Sequence, residues 1–370
     1  MTMAAPEEGL DLGILFPCDQ FDLQLFKCSR SEAHVMDPQH RLLCEHGYSA
    51  LYSAGHRRAD LLNSKAAIFL GMWPSDFDAV LRQRAESSVL LAIASGCSIA
   101  AGRLSYMLGL NGPCIEIDTA SSSALAACSI GVHSLRDGEC WPAANVMGSH
   151  LMLHPDSATM MKAVGLLKPS GRCYTWDKRA DGIVFGEACL AVTLSLLPTA
   201  ISALSIGGVT VRQDGRTAVM TAPNGSAQQL LYRDSLQNAA TIEQQMSICA
   251  LHGTGTQLGD PVEAGSLSAE VLKRANNVAV TGIKANTGHT GAAGGLAALL
   301  ILAQNLTRWK AHPHAQLRQM NVAVLHVLTG CNGVVPVAVT LLNPLLRGRI
   351  AGGVSSFGWS GTIVHGVLFS

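Results

Sequence analysis

Apolar runs of strand and helix length alternate along the chain with turns that are rich in glycine and serine. Residues 65–71 (KAAIFLG) form a short apolar run that ends in glycine, which is typical of a buried strand. Residues 113–117 (PCIEI) predict another strand, and a helix from residue 121 to about residue 135 follows it directly. Alanine and serine dominate this helix, which indicates close packing on all of its sides.

The alternation continues to the last residues and predicts an α/β fold with buried sheets. Further strands are predicted at residues 143–147, 187–196, 201–211, 248–251, 277–281, 335–342 and 364–369. Further helices are predicted at residues 41–54, 228–239, 260–273 and 291–306, and the first 30 residues show no regular pattern.

The composition describes a chain with a large core and little charged surface. Charged residues make up 14% of the 370 residues, against about 25% in an ordinary globular protein, and hydrophobic residues make up 48%. Such a balance is common in obligate oligomers, so we expect a homodimer or a heterodimer. The 26 basic and 26 acidic side chains cancel, which argues against a nucleic-acid partner because such a partner requires a positive field.

The cysteines and the hydropathy favour a cytoplasmic protein. The 11 cysteines are odd in number and form no CxxC pair, so reduced thiols are expected rather than a disulfide framework. The first residues hold two glutamates where a signal peptide has basic residues, and no uncharged apolar run reaches the roughly 18 residues of a membrane span. His312 and His314 have no third ligand nearby, so no metal site is predicted. We expect His34, His40 and His46 at the surface.

Three groups of polar residues stand in glycine-rich, apolar surroundings and are candidates for chemistry. The first is the turn Asp118-Thr119-Ala120-Ser121, between a predicted strand and a predicted helix. Ser121 would lie at a helix N-terminus, where free N–H groups favour a nucleophile or an oxyanion. Serine is also an ordinary helix N-cap, so this stretch alone leaves both interpretations open.

The other two groups centre on histidine. The run HGTGT, which starts at His252, follows a predicted strand, and its glycines would let a substrate approach closely; a hydrogen-bonded core histidine is the plainer alternative. It is not a phosphate loop, because the motif GxxxxGK[ST] is absent. Lys284 and His289 precede an apolar helix. Buried lysine is rare unless it is paired, so a functional lysine and a solvated loop lysine remain equal alternatives.

Taken together, these motifs resemble those of the β-ketoacyl synthase (ketosynthase) family, in particular the domains of polyketide synthases and type I fatty acid synthases. The resemblance begins near residue 16. Its segments, in order, are MDPQHRLL (36–43), GPCIEIDTASSSAL (112–125), GLLKPSGRCYTWDKRADGIVFGEAC (165–189), TAPNG (221–225), HGTGTQLGDPVE (252–263), KANTGHTGAAG (284–294) and GVSSFGWSGT (353–362). So many ordered matches are far more specific than any single motif.

The resemblance implies a thiolase-type fold, which is a five-layered α-β-α-β-α sandwich of two similar halves. We place these halves at residues 1–222 and 223–370. It also implies a decarboxylative Claisen condensation of acyl and malonyl thioesters. In that reaction the substrates are carried on the phosphopantetheine arm of an acyl carrier protein, and no further cofactor is bound.

At matching positions the resemblance also gives roles to side chains. His252 and His289 would polarise the malonyl thioester carbonyl and stabilise the enolate that forms when CO₂ leaves, and Lys284 would orient the second histidine. The family's nucleophilic cysteine falls at Ser121. A serine hydroxyl is far less acidic than a thiol and needs an adjacent general base, so acyl transfer onto Ser121 should be slow. Cys128, about two helical turns further on, cannot replace it.

Further roles that the resemblance implies concern the backbone and the carrier arm. The N–H groups of Ser121 and Trp359 would form an oxyanion hole, and Thr254 and Thr256 would hold the phosphopantetheine arm.

Three other departures from the family pattern stand out. Ile363 occupies the place of an asparagine, and Ala250-Leu251 the place of Glu-Ala. The glycine-rich first strand, which we expect at the centre of the first sheet, has no counterpart before residue 16. Its loss would leave a long unpaired edge.

Three hypotheses follow. The chain is a condensing acyltransferase with a weak or substituted nucleophile, a malonyl decarboxylase that does not condense, or a non-catalytic partner subunit. The retained His252, His289 and Lys284 favour decarboxylation, whereas the absent strand and Ile363 favour the partner subunit.

Overall fold

The computed structural model describes residues 15, 18–83, 89–155, 159, 161–162, 167, 171–196, 204–342 and 350–370. The helices are α1 (Arg30–Val35), α2 (Pro38–Ser53), α3 (Arg58–Leu61), α4 (Phe77–Gln83), α5 (Cys97–Leu108), α6 (Ser123–Arg136), α7 (Gly225–Asn238), α8 (Gly259–Leu267), α9 (Lys284–Thr287), α10 (Gly294–Arg308) and α11 (Val322–Leu328). The strands are β1 (Ala67–Gly71), β2 (Cys114–Ile117), β3 (Ala144–His150), β4 (Ala188–Leu194), β5 (Ser205–Gln213), β6 (Met246–Ala250), β7 (Val278–Thr281), β8 (Lys310–Ala311), β9 (Gly333–Val334), β10 (Thr340–Leu341), β11 (Ala351–Phe357) and β12 (Thr362–Phe369).

The first sheet has the strand order β2-β1-β3-β4. The first three strands run parallel and β4 is antiparallel to β3. Every residue of β1 and β3 is buried, as expected for strands covered on both faces. Helix α6 follows β2 and packs so closely on β1 that a Cβ at Gly71 would collide with the backbone of Ala124. Glycine at this position therefore sets the separation between helix and sheet.

The second sheet repeats this arrangement in the order β5-β12-β11-β6-β7-β9. Strands β7, β6 and β11 are parallel and β12 is antiparallel to β11, so these four strands match β2, β1, β3 and β4 in order and direction. Helix α10 after β7 matches α6 after β2. The sandwich therefore consists of two similar halves, as predicted.

Three clusters of buried residues hold the helices and the two sheets together in five layers. The central cluster joins α6 and α10 to both sheets, through residues such as Leu125, Leu299, Phe69 and Val354. A second cluster packs α2 and α5 on the outer face of the first sheet. A third packs α7 and α8 on the outer face of the second sheet. The predicted α-β-α-β-α sandwich is confirmed.

The internal repeat corrects one expectation about the absent strand. In the second sheet β5 pairs with β12 at the sheet edge. The equivalent place in the first sheet lies beside β4, where the described part of the chain supplies no strand. The strand that we expected at the centre therefore belongs at the edge. In the described part of the chain β4 is therefore the outer strand of the first sheet.

Other predictions of elements need correction too. The single strand predicted at residues 335–342 is wrong, because Pro336 separates β9 from β10 and these lie in different sheets. Strand β5 belongs to the second sheet although the boundary at residue 222 would assign it to the first half, and residues 201–203 of its predicted range lie outside the described residues. His40 is buried, not at the surface, because its face of α2 packs into the fold. No helix in the described part of the chain has the length and apolar character needed to cross a membrane.

Candidate active site

A cavity of about 730 Å³ opens where strand ends from both halves meet. All the predicted site residues except Lys284 line it: Ser121, His252, Thr254, Thr256, His289 and Trp359. Residues more than 100 positions apart in the sequence therefore share one cavity.

Ser121 lies in a strained turn between β2 and α6. Ala120 has a φ of 55°, and its N–H donates to the Asp118 carboxylate at 2.9 Å. The Ser123 hydroxyl accepts the N–H of Thr119 at 2.9 Å, which closes the turn. Ser121 therefore does not cap α6; Ser122 holds the N-cap position and its side chain makes no capping bond. The Ser121 hydroxyl contacts His289 instead, and the capping interpretation is wrong.

The tautomer of His289 decides what it offers to Ser121. Its Nδ1 accepts the N–H of Gly291 at 3.0 Å. Burial, followed by the charge of Lys284, lowers the pKa of His289 well below its usual range, so the ring is neutral. The single ring proton must then sit on Nε2, which lies 2.9 Å from Ser121 Oγ. His289 therefore donates to the serine hydroxyl and cannot accept its proton.

His252 has the same tautomer. Its Nδ1 accepts the N–H of Phe357 at 3.2 Å, and burial followed by the charge of Lys284 lowers its pKa well below the usual range. The proton again sits on Nε2. The rings of His252 and His289 have centroids 5.9 Å apart and are almost perpendicular. The site therefore contains two neutral imidazoles, each with its proton on Nε2, and that of His289 is donated to Ser121 Oγ.

Lys284 is buried, which excludes the solvated loop lysine. Its ammonium donates to the carbonyl oxygen of His252 at 2.5 Å and lies 3.4 Å from His252 Nδ1. The expectation that Lys284 orients the second histidine is therefore not met, since its hydrogen bonds go to the first. Burial lowers the pKa of Lys284 to about 8, and the Glu263 carboxylate opposes that shift.

Two carboxylates that the sequence analysis left without a role hold the HGTGT run. Glu263 is buried and accepts the N–H groups of His252 at 2.7 Å and Gly253 at 2.9 Å. Asp260 is also buried and accepts the N–H of Gly255 at 3.0 Å. Burial raises the pKa of Glu263 to about 7 and that of Asp260 to about 6. The signal was available in GDPVE, where two acids three residues apart stand in the first turns of a helix beside that run.

The two segments that carry the predicted oxyanion hole, the Ser121 turn and the end of β11, pack against each other. Gly358, next to Trp359, packs so tightly on the Ser121 turn that a Cβ there would collide with the carbonyl oxygen of Thr119. Ser356 Oγ donates to the carbonyl oxygen of Ser121 at 2.8 Å. The strand end that carries Trp359 is thereby fastened to the turn that carries Ser121.

The departures from the family pattern have simple packing explanations. Ile363 is completely buried in a small apolar cluster with Leu231 and Phe357, so it fills space that an asparagine would make polar. Ala250 and Leu251 are likewise buried in the core. Cys128 is buried and its pKa is raised to about 12 by that burial, which makes it inert as a nucleophile.

Two family models match the chain, namely Beta-ketoacyl synthase, N-terminal domain, over residues 9–200 and Beta-ketoacyl synthase, C-terminal domain, over residues 204–318. The chain belongs to the β-ketoacyl synthase family. The resemblance found in the sequence motifs is confirmed, and this ketosynthase-family chain is similar to parts of large polyketide synthases.

A phenolphthiocerol/phthiocerol polyketide synthase of Mycobacterium tuberculosis is 34% identical over 360 residues, which are 95% of this chain and 16% of that protein. A mycocerosic acid synthase-like polyketide synthase of Mycolicibacterium smegmatis is 35% identical over 359 residues, which are 94% of this chain and 17% of that protein. The chain thus spans about a sixth of the length of these relatives.

Among solved structures, the ketosynthase from module 6 of the bacillaene synthase from Bacillus subtilis is similar, with a TM-score of 0.88 and 31% identity. That structure is of a cysteine-to-serine mutant. The match covers 97% of this chain and 62% of that chain.

Proposed function

We propose that this ketosynthase-family chain binds a malonyl thioester of polyketide biosynthesis, carried on an acyl carrier protein, and promotes loss of CO₂ from it. One observation carries the proposal. The Nδ1 atoms of His252 and His289 both accept backbone N–H groups, which puts both ring protons on Nε2; a thioester carbonyl would accept from them, taking the place of the Ser121 hydroxyl at His289.

In the proposed step the bond between the carboxylate carbon and the malonyl α-carbon breaks. Its electron pair passes to the thioester carbonyl oxygen, and the product is CO₂ and an enolate. Two preorganised neutral donors stabilise that oxygen, and removing one donor in comparable oxyanion sites costs about 2.7–4 kcal/mol. The enolate then takes a proton from water or attacks an acyl thioester.

Condensation is the second candidate. The close packing of the Trp359 strand end on the Ser121 turn supports an oxyanion hole for an acyl group. Acyl transfer onto Ser121 still lacks a base, because His289 already has its proton on the nitrogen that faces the hydroxyl. We therefore propose that condensation, where it occurs, is much slower than decarboxylation. A purely non-catalytic partner would need neither donor.

The test is release of CO₂ from malonyl carrier protein by the unmodified chain and by His252→Ala and His289→Ala. We expect each variant to lose about 100-fold or more in rate. The matched control is His314→Ala, which removes a buried histidine that does not line the cavity. Equal release by all four proteins would contradict the proposal.

We also propose that two copies of the chain pair through the β2 edge of the first sheet. Cys114 and Ile115 of β2 are exposed, and Tyr106 of the neighbouring α5 is 87% exposed. An apolar edge strand of this kind is a pairing template. Sedimentation should give twice 38.8 kDa, and a mass near 38.8 kDa at micromolar concentration would contradict a dimer.

The acyl carrier protein is the proposed partner, and phosphopantetheine is proposed to bind beside Thr254 and Thr256, which line the cavity. A cytoplasmic location remains part of the proposal, supported by 11 cysteines that are all free thiols.

A further inference from the structure

The position of the proton on His289 depends on one backbone N–H group. Gly291 donates its N–H to Nδ1 of His289 at 3.0 Å, and this bond leaves the ring proton on Nε2. The hydrogen bond at Nε2 cannot fix the proton, because the Ser121 hydroxyl can donate as well as accept. Whatever holds Gly291 in place therefore decides whether His289 is a donor or an acceptor in the cavity.

Two rings from the first half lie against Gly291. A Cβ at Gly291 would stand 2.5 Å from Cγ of His150 and 2.6 Å from Cζ2 of Trp73, so these rings leave no free space beside the Gly291 backbone. Gly291 has a φ of 52°, and a glycine without such neighbours passes readily to other backbone conformations. Trp73 and His150 form what we call the ring pair.

The ring pair is fixed by its own contacts. The ring centroids of Trp73 and His150 lie 4.7 Å apart, and the two rings are almost perpendicular. On either side of His150, the Ser149 hydroxyl and the Leu151 N–H donate to Oε1 of Gln39, at 3.2 Å and 3.1 Å. The end of β3 is thereby fastened to α2, and the ring pair cannot easily move away from the glycine that it contacts.

His150 contributes to the ring pair by its shape. Neither ring nitrogen has a hydrogen-bond partner among the described residues, and neither is open to water. Burial lowers the pKa of His150 to about 3, so the ring is neutral. The structure therefore assigns no hydrogen bond to this imidazole, and a phenylalanine ring could make the same contact with Gly291.

We propose that Trp73 and His150 are positioning residues, which keep the Gly291 N–H on Nδ1 of His289 and thereby keep the His289 proton on Nε2. Without the ring pair, Gly291 turns away and Nδ1 is left with a free lone pair. The ring proton then lies on Nδ1 in most molecules, and Nε2 becomes an acceptor that cannot donate to a thioester oxygen. The effect on CO₂ release rests on the proposed function, whereas the effect on the tautomer does not.

The experiment observes the ring nitrogens of His289 by NMR in the chain labelled with ¹⁵N-histidine. Their signals are assigned by their absence from the spectrum of His289→Ala. In the unmodified chain we expect the proton on Nε2 alone. In His150→Ala we expect the Nδ1–H form to reach about 90% and the rate of CO₂ release to fall about 10-fold, in proportion to the remaining Nε2–H fraction.

A rescue variant and a matched control separate positioning from a general loss of packing. His150→Phe returns a flat ring to the contact with Gly291, so it should restore the Nε2–H form of His289 and recover most of the lost rate. The control is His40→Ala. His40 is also buried, with both ring nitrogens lacking a partner among the described residues and a pKa lowered to about 3 by burial, but it does not line the cavity. This variant should leave the tautomer of His289 unchanged.

If His150→Ala does not fold, Trp73→Leu tests the ring pair from its other member, since Trp73 is only half-buried and contacts Gly291 directly. It should also populate the Nδ1–H form. An unchanged tautomer in the variant that folds would overturn the inference, and so would an equal change in His40→Ala or a failure of His150→Phe to restore the Nε2–H form. A changed tautomer without any change in CO₂ release, or no CO₂ release by the unmodified chain, would instead refute the proposed function.

Discussion

The two halves of the molecule share one strand order, but the side chains that follow their strands differ in chemical type. In the first half, β2 leads to Ser121 and β3 ends at His150. In the second half, β6 leads to His252 and β7 to Lys284. In the proposed function the first half thus provides the nucleophile position, and the second provides the hydrogen-bond donors. A repeated scaffold does not require repeated function, because the side chains at strand ends are free of the packing constraints inside the sheets.

The largest effect is expected at position 121 of the first half, where this chain has serine in place of the family's cysteine. Ser121→Cys should become acylated and should react with iodoacetamide at least about 100-fold faster than the serine form. The reason is that a thiol at the start of α6, beside the His289 N–H, ionises far more readily than a hydroxyl. The measurement is the mass shift of the peptide that contains residue 121.

The control for this prediction is Ser122→Cys, because Ser122 is the next residue, is completely buried and does not line the cavity. It should remain unmodified. A folded Ser121→Cys protein that neither alkylates nor acylates would show that the first half no longer holds a working pocket, and would favour a non-catalytic role.

The second prediction compares the helix contacts of β1 and β6. Gly71 ends β1 against the backbone of Ala124, whereas Ala250 ends β6 at the equivalent position and already carries a Cβ. Gly71→Ala should lower the free energy of unfolding by about 3 kcal/mol, because the added methyl group has no space. Ala250→Gly should cost only about 1 kcal/mol. Equal losses in chemical denaturation would break the comparison.

The third prediction concerns acid. A buried neutral histidine takes up a proton on unfolding below pH 6.5, so stability falls as the pH falls; a buried carboxyl with a raised pKa has the opposite effect. Among the described residues, the deeply buried histidines of the second half with lowered pKa values are His252, His289, His314 and His365, and the deeply buried carboxyls with raised pKa values are Asp260 and Glu263. In the first half the corresponding histidines are His40 and His150, and the corresponding carboxyl is Asp37.

The excess of buried histidines over buried carboxyls is therefore larger in the second half. Lowering the pH from 7 to 5.5 should destabilise that half by about 2 kcal/mol and the first half by less. Hydrogen exchange, corrected for the intrinsic rate at each pH, should show earlier loss of protection in β6, β7 and β12 than in β1 and β3. The reverse order would contradict the assignment.

The smallest effect is expected at the arm-binding loop of the second half. Thr254→Val removes a hydroxyl that lines the cavity and lies 3.3 Å from the Thr256 hydroxyl. KM for malonyl carrier protein should rise about 3- to 10-fold with kcat unchanged, as for the loss of one binding hydrogen bond. Thr307→Val, on the exposed face of α10, serves as control. A fall in kcat instead would place Thr254 in the chemistry.

The sequence predicted the layers of the fold and the set of residues in the site better than it predicted the hydrogen bonds between those residues. Buried strands such as β1 and helices such as α10 are recognisable because their apolar runs have the right length. Strand β11 was missed because AGGVSSF has no alternation; its glycines allow α10 and β6 to approach. Periodicity cannot report such contacts, since they depend on the partner element.

Within the site, the ordered motifs grouped Ser121, His252 and His289. They could not predict which ring nitrogen of each histidine carries the proton. That depends on single N–H groups from Gly291 and Phe357, which no side-chain pattern records. The partner of Lys284 was mistaken for the same reason. The role of a buried carboxylate such as Glu263 becomes visible only when the backbone groups that it accepts are known.

The bond from Ser356 to the carbonyl oxygen of Ser121 has a consequence for the synthesis of the protein. The two residues are 235 positions apart, so at about 5–20 residues per second the ribosome reaches Ser356 roughly 10–50 s after Ser121. During that interval the first half can assemble its sheet around β1 and β3. The turn at Ser121 still lacks the hydrogen bond from Ser356, because Ser356 has not yet been synthesised. The turn that carries Ser121 can therefore reach its final hydrogen bonding only after β11 has been synthesised.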